Sequence, residues 1–552
     1  MMTKPTSEQV TFLAAGSGAT QRTVLDKLRD VVSVKDFGAV GNGVANDSPA
    51  IQAAINYLES IDGGVLYFPA GTYGIDAPLV VPGGVSLRGE SEYATILKKT
   101  TATATSIYNP RVIEPLGTPS GTGTPIGNAV CVLYMCFNAA NEDVPYAYGT
   151  VEHLTIQANT NDPNTTTTKF GIVSAGFNNA TLKNVRIEYV QYGLVVTDYN
   201  LCAWFESVRI NSVFGGYYQQ LATASGSNGL YISKFRDFGI WLKGSLYCTH
   251  ENMVAEAGGW RSLFPATNTD GIPSGWFNDR VGGCVCYVIR GGRGSFFQGG
   301  SELHIGSAVV VADTAQCVVS QMYFLAMRTD YTGSRQSICA YFNDNIDLTF
   351  TNNRFEFLAP NNSGTRPAWN YVLDDNTYGR FIYENNRYID SEGSVAETGQ
   401  GWVDVSGDNG LGSSIFRFTP TCRFVTNGDF SLGSPGAENA GIYYRVGNVV
   451  HYSITLDYTP TWTTASGAFQ IEGLPFPNGP VRSVGVVTQL GSNPSTVIAN
   501  TTGLSALVGP NGSSITIRQE RNNLTSVNAT TAEFTSGTRI YLVITGQYFM
   551  AQ

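Results

Sequence analysis

The chain has 552 residues, a formal net charge of −10 and only 14% charged residues, against 62 glycines, 29 tyrosines and 28 phenylalanines. That length implies two or more domains, and the scarcity of Lys, Glu and Arg beside abundant turn and aromatic residues points to many short strands. The acidic balance argues against a nucleic-acid partner, which needs a basic footprint, and an acidic polymer would have to be met by local Arg or Lys.

The first ten residues, MMTKPTSEQV, carry no apolar h-region, and no run of about 18 apolar residues follows, so membrane insertion is not expected. Nine cysteines are dispersed and odd in number, without a CxxC pair. We expect them to be reduced and mostly buried, in a protein made in a cytoplasm, with no metal or other cofactor. Cys284 and Cys286 lie two apart, which places both on one face of a strand.

In chain order, residues 1–33 read as a polar tail with one short helix, either a neck or a fraying terminus. Val34 to Ala54 is the most informative stretch. An apolar start (Val34, Phe37) runs into glycines at 38, 41 and 43. Ser48 as N-cap and Pro49 at the first helical position then open a helix carrying Ile51, Ala54 and Ile55 on one face. Gly64 to Tyr73 follows as a short apolar strand stopped by a turn.

This combination resembles the entry to the pectate-lyase-like right-handed β-helix of bacteriophage tailspikes, and Val10–Leu13 with Thr23–Arg29 resembles their neck. Family members often have Asp where this chain has Asn42 and Asn46, in a loop that reads as structural. The resemblance implies an all-β, homotrimeric protein with a right-handed parallel β-helix over residues 34–400. It further implies a virion tail protein, assembled in the host cytoplasm and acting outside it. The expected partners are a bacterial surface polysaccharide and other phage tail or baseplate proteins.

The residues support the solenoid independently. Val185-Arg186-Ile187 recurs as Val208-Arg209-Ile210, and Phe350 to Phe355 recurs as Tyr383 to Tyr388, which predicts stacked coils with asparagine ladders at matching turns. Residues 401–415 read as a linker. Residues 416–552 alternate as strands of a β-sandwich, with Tyr443 to Ile454 as a hairpin. The YxRVGNVV…GLPF pattern there resembles C-terminal domains of phage fibres and spikes, implying a role in trimerisation or sugar binding.

No phosphate loop or GxSxG elbow is present, so chemistry falls to carboxylates, ten of which lie between 230 and 350. Asp237 and Glu256 each precede a glycine by two residues, which would stack them one coil apart. Adjacent strands are ~4.8 Å apart, close to the carboxylate separation of retaining glycosidases. Glu302, one or two coils further on, and Asp279 are the reserve carboxylates. Residues 260–280 break the coil pattern and offer Trp260 and Trp276 as sugar platforms, with Asp270 and Arg280 beside them. His250 and Arg280 are candidates for binding substrate, and with Arg261 they are the candidates for a lyase. Three functions stay open: a polysaccharide hydrolase, a lyase on the same scaffold, and a non-catalytic receptor-binding spike.

Overall fold

The structure, a computed structural model, describes residues 4–101, 131–136, 148–176, 178–197, 200–259, 276–279, 281–303, 305–325, 335, 338–356, 369–374, 380–389, 394–397, 402–404, 416–446, 449–490, 501–521 and 524–550. Two compact units are distinguished. The first is Met1–Tyr341 with Phe355–Trp369 and Asp390–Gly393; the second is Phe342–Arg354, Asn370–Ile389 and Ser394–Gln552.

At the N-terminus Thr11–Phe12 pairs antiparallel with Arg22–Thr23, and a short helix, Val24–Leu28, is capped by the Thr23 hydroxyl accepting from the Asp26 amide. The entry loop is built on buried acceptors. Asp47 takes the backbone N–H groups of Val40, Gly41 and Gly74 at 2.5, 3.1 and 3.2 Å. Asn42 Oδ1 accepts from Val44 and Ala45, both at 2.9 Å, so an Asx-type turn accounts for this residue without any ligand. The helix is Ser48–Ser60, with Asp47 rather than Ser48 in the capping position. The Ser48 hydroxyl oxygen instead accepts from the amides of Asp76 and Ala77 at 2.8 and 3.2 Å, tying the helix to the first coil. Ile51, Ala54, Ile55 and Leu58 are buried, the apolar stripe that covers the end of the solenoid.

From there the strands of the first unit pair in parallel, coil upon coil. Val185 stands on Val208 and Ile187 on Ile210, so the repeated Val-Arg-Ile is one coil in register with the next. Each of these coils is bent at one residue of left-handed backbone. His153, Asn184, Ser207 and Asn252 have φ of 58, 52, 52 and 51°. The flanking pairs Glu152↔Lys183 and Leu154↔Val185 show that these bends stack too. The bend lets one segment turn from one sheet face to the next without losing its ladder. Interior positions on both sides of it are filled by Val151, Leu154, Leu182, Val185, Phe205 and Val208.

In the second unit the expected asparagine ladder is present. Phe350 pairs with Tyr383, their rings stacked at 5.7 Å and 9°. Asn386 Oδ1 accepts from the amide and side chain of Asn353 at 3.2 and 2.9 Å, and its own Nδ2 donates to Phe350 O at 2.9 Å. Both asparagines are buried. Parallel pairing continues to Trp402–Asp404, which stands on Arg380–Ile382, so residues 402–404 are strand rather than linker. Residues 405–415 lie outside the described residues.

The C-terminal strands, Phe416–Phe418 through Ile540–Phe549, form one antiparallel hydrogen-bonded sheet. The expected hairpin is there, Tyr443 facing Tyr452. Val450, Tyr452, Ile454 and Leu456 alternate inward, and Phe424, Trp462, Phe469 and Phe534 cluster with ring centroids 4.4–6.3 Å apart.

Breaking the ladder should be costly, because a buried amide bonded on three sides would leave its partners unsatisfied. Asn386→Leu is expected to destabilise the protein by about 2–3 kcal/mol in calorimetric unfolding. Asn385→Gly, at the exposed left-handed position beside it, should stay within about 0.5 kcal/mol.

Candidate functional site

One outer wall of the first unit brings together acid, phenol and guanidinium groups. Strand alternation directs Met253 and Ala255 into the core and leaves Val254 and Glu256 outward; Ser301 is likewise inside and Glu302 exposed. Glu256 stands on Ser233 of the preceding coil. On the following coil, Val254 stands on Gly300, and the Ala257 amide donates to Glu302 O at 2.8 Å. That continuation sets Glu302 directly over Glu256, one strand spacing (~4.8 Å) away. Tyr287 fixes this register from inside the core. Its hydroxyl donates to Met253 O at 2.9 Å and accepts from the Gly300 amide at 3.0 Å. A Cβ on Gly299 would come within 2.9 Å of that hydroxyl, so glycine is required there.

In the adjacent column Arg186, Arg209, Tyr231, Val254 and Gly300 follow one another coil by coil. The Tyr231 hydroxyl donates to Glu256 Oε1, and the Ser233 hydroxyl approaches the same oxygen at 3.4 Å. Burial, then the Glu256 carboxylate, pushes the Tyr231 phenol up to about 12, so it keeps its proton at neutral pH. Upstream, Arg186 is paired with Glu188, and Arg209 donates to Glu92 at 2.7 Å. A cleft of about 160 Å³ runs between them, lined by Arg186, Glu188, Arg209, Asn211, Tyr231 and Lys234.

The expected pair Asp237 and Glu256 is not stacked. The coil repeat at this point is 23 residues, Ser233 to Glu256, not the 19 that aligning the glycines gave. Asp237 lies at a corner, one residue before Phe238, which pairs with Gly215 and Val285. It is held bidentately by Arg236 at 2.6 and 2.8 Å, and that guanidinium lies 3.5 Å over the Phe214 ring. Burial raises its carboxyl and Arg236 opposes the rise.

His250 is a core residue. It is fully buried, stacked on Phe297 at 5.7 Å, with Nδ1 2.9 Å from the Ser227 hydroxyl and Nε2 without a hydrogen-bond partner. It cannot contact a glycan. Trp276 is 3% exposed, edge-on to Trp241 at 5.9 Å and capped by Arg290 at 4.7 Å, so it packs on the solenoid instead of offering a platform. Asp279 ends the same short helical turn, Trp276–Asp279. Trp260, Arg261, Asp270 and Arg280 lie outside the described residues. Among the described residues eight cysteines are free, seven of them buried, and no group of His, Cys, Asp and Glu is placed to hold a metal ion.

Residues 31–260 match the family described as Rhamnogalacturonase A/epimerase, pectate lyase-like. Over that segment the strands stack in the parallel coils of a pectate-lyase-like β-helix. The Dettilon tailspike protein superposes on this β-helix protein with a TM-score of 0.50 at 12% identity, covering 96% of each chain. Over 86 residues the chain is 36% identical to the tail spike protein of Shigella phage Sf6, which is 15% of this chain and 14% of that one. Over 75 residues it is 41% identical to a mannuronan C5-epimerase of Azotobacter vinelandii, 12% of this chain and 5% of that one. The β-helix chain thus spans less than a fifth of the length of these curated relatives.

Burial lowers His250 to about 3, below its unfolded value of 6.5. Between those values the unfolded chain binds the extra proton, so stability is lost as pH falls through that window. His250→Phe, which keeps the stack on Phe297, should shrink the loss of unfolding free energy between pH 7 and pH 4.5 by about 2 kcal/mol, measured by denaturant titration at both pH values.

Proposed function

We propose that this protein is a phage tailspike that binds a bacterial surface polysaccharide along the Arg186–Glu302 wall and cleaves it by glycosidic hydrolysis. The observation that carries this reading is the coil register that sets Glu302 over Glu256 on an exposed face. Their strand spacing falls nearer the ~5–5.5 Å carboxyl separation of retaining glycosidases than the wider inverting range. Two hydroxyls converge on Glu256 Oε1, Tyr231 as its donor and Ser233 more distantly. An oxygen used as an acceptor suits the nucleophile or base, which leaves Glu302 as the proton donor to the departing sugar oxygen. The likeness of short segments to a phage tail spike and to a polysaccharide epimerase supports a polysaccharide ligand.

A lyase on the same wall is the second reading, favoured by Arg186 and Arg209, which could neutralise a uronate. Against it, a phenol held at about 12 keeps its proton at neutral pH, so Tyr231 is not available as the base of an elimination. Glu256→Gln and Glu302→Gln should each lower depolymerisation by about 10²–10⁴-fold. Asp237→Asn should stay within a few-fold of wild type. New reducing ends, assayed on purified capsular polysaccharides and O-antigens, mark hydrolysis; absorbance of an unsaturated uronate would favour the lyase, and binding without shortening a receptor-binding spike.

The spike is further inferred to be a homotrimer held in part by its C-terminal sheet, which offers Val484, Val486 and Phe549, each more than half exposed. Other tail or baseplate proteins would attach it to the virion. Light scattering should give a trimer mass, and Val484→Glu with Val486→Glu should shift it towards monomer. A wild-type monomer at micromolar concentration would overturn this assembly.

A further inference from the structure

The turn between Val85–Gly89 and Thr95–Lys99 reaches out of its own coil and over three later ones. It is closed on itself by Ala94 N and Thr95 N donating to Ser91 O at 3.2 and 3.0 Å. Thr155 then donates to the Glu92 carbonyl, Arg209 Nη1 donates to the Glu92 carboxylate at 2.7 Å and to the Tyr93 hydroxyl at 3.0 Å, and the Arg186 guanidinium lies 4.9 Å over the Tyr93 ring. Despite these anchors the Tyr93 side chain remains largely in solvent, at 65% exposure. A tyrosine recruited to glue the turn down would bury its ring. This one is fixed at its hydroxyl and along part of its ring while most of its apolar surface stays open.

We propose that Tyr93 is a stacking subsite for a sugar ring of the glycan, placed upstream of the Glu256/Glu302 pair. This rests on reading the wall as the polysaccharide site. Tyr93 stands over the rows of Arg186 and Arg209. Arg209 leads through Tyr231 to Val254, two coils along, in the row beside Glu256. Two coils span ~10 Å, about two sugar residues, and the cleft lined by Asn211 and Tyr231 lies between. A pyranose presents a face of C–H groups that matches a flat aromatic surface, and a ring already immobilised loses little further freedom on binding. The subsite would therefore act on chains long enough to reach from the carboxylates to Tyr93, and set how much of the polymer the spike holds on one side of the cut.

The test uses the full-length protein and the polysaccharide it binds from a panel of purified capsular polysaccharides and O-antigens, together with size-fractionated oligosaccharides made from that polysaccharide by partial acid hydrolysis. Binding is measured by calorimetry with Glu256→Gln present to stop turnover. Tyr93→Ala should weaken binding of long fractions about tenfold, leave short fractions unchanged, and raise KM for the polymer without changing kcat. Tyr93→Phe, which keeps the ring and loses the bond to Arg209, should stay within twofold of wild type. Tyr247→Ala, an equally open tyrosine at 67% exposure on another turn, should have no effect. Equal loss for all lengths, no loss at all, or Phe as weak as Ala would overturn the subsite. A protein that binds chains and does not shorten them overturns the hydrolytic reading alone, since the binding comparison still decides Tyr93. A protein that binds none of the polysaccharides overturns both.

Discussion

Each coil of the β-helix must meet the next with an unbroken row of backbone donors and acceptors, so the register of one coil dictates that of its neighbour. A slip of one residue would turn every interior side chain outward. The bends at His153, Asn184, Ser207 and Asn252 add a second constraint, because residues of left-handed backbone must coincide from coil to coil. Function inherits this rigidity. The outward column holding Ser233, Glu256 and Glu302 and the neighbouring column of Arg186, Arg209 and Tyr231 are consequences of the ladder, not of any local loop geometry.

The interior reinforces the same geometry. Tyr287 commits its hydroxyl to the backbone of the two strands that carry the carboxylates, and Gly299 leaves the room it needs. This wall is therefore backed by a hydrogen-bonded strut rather than by packing alone. Farther along the chain Asn353 and Asn386 serve a similar purpose, satisfying buried backbone groups at a turn where the ladder is interrupted.

Charge is used locally. A chain of net charge −10 gathers Arg186, Arg209 and Lys234 around one cleft, yet pairs the arginines with Glu188 and Glu92. The Arg209–Glu92 pair, its guanidinium half exposed, contributes little to stability. The effect of both pairs is positional, since the same arginines hold the Tyr93 ring in place. At the corner of Asp237, by contrast, the carboxylate is committed to both nitrogens of Arg236, whose guanidinium is in turn stacked on the Phe214 ring.

The amino-acid pattern alone determined the class of fold. The glycine-punctuated entry, the apolar helix stripe, the recurring Val-Arg-Ile and the Asn-Asn pairs each encode short-range geometry, and each reappears in place. The recurring triplet also carried Arg186 and Arg209 as its outward members, a signal of the wall that periodicity alone did not single out. What only the tertiary structure decided was which carboxylates meet. Glu256 and Glu302 are 46 residues apart, twice the local 23-residue repeat, which reads as two coils. Yet Val254 stands directly on Gly300, so one coil separates them. Burial was equally hidden: His250 beside Glu251 and Trp276 in a polar loop look like surface residues in the sequence, and both are enclosed by rings from distant strands. Tyr93 reached the wall by the same logic, 116 residues before the Arg209 that holds it. A linear sequence records neighbours along the chain, while a solenoid makes its sites from neighbours across coils, and only the stacked ladder says which residues those are.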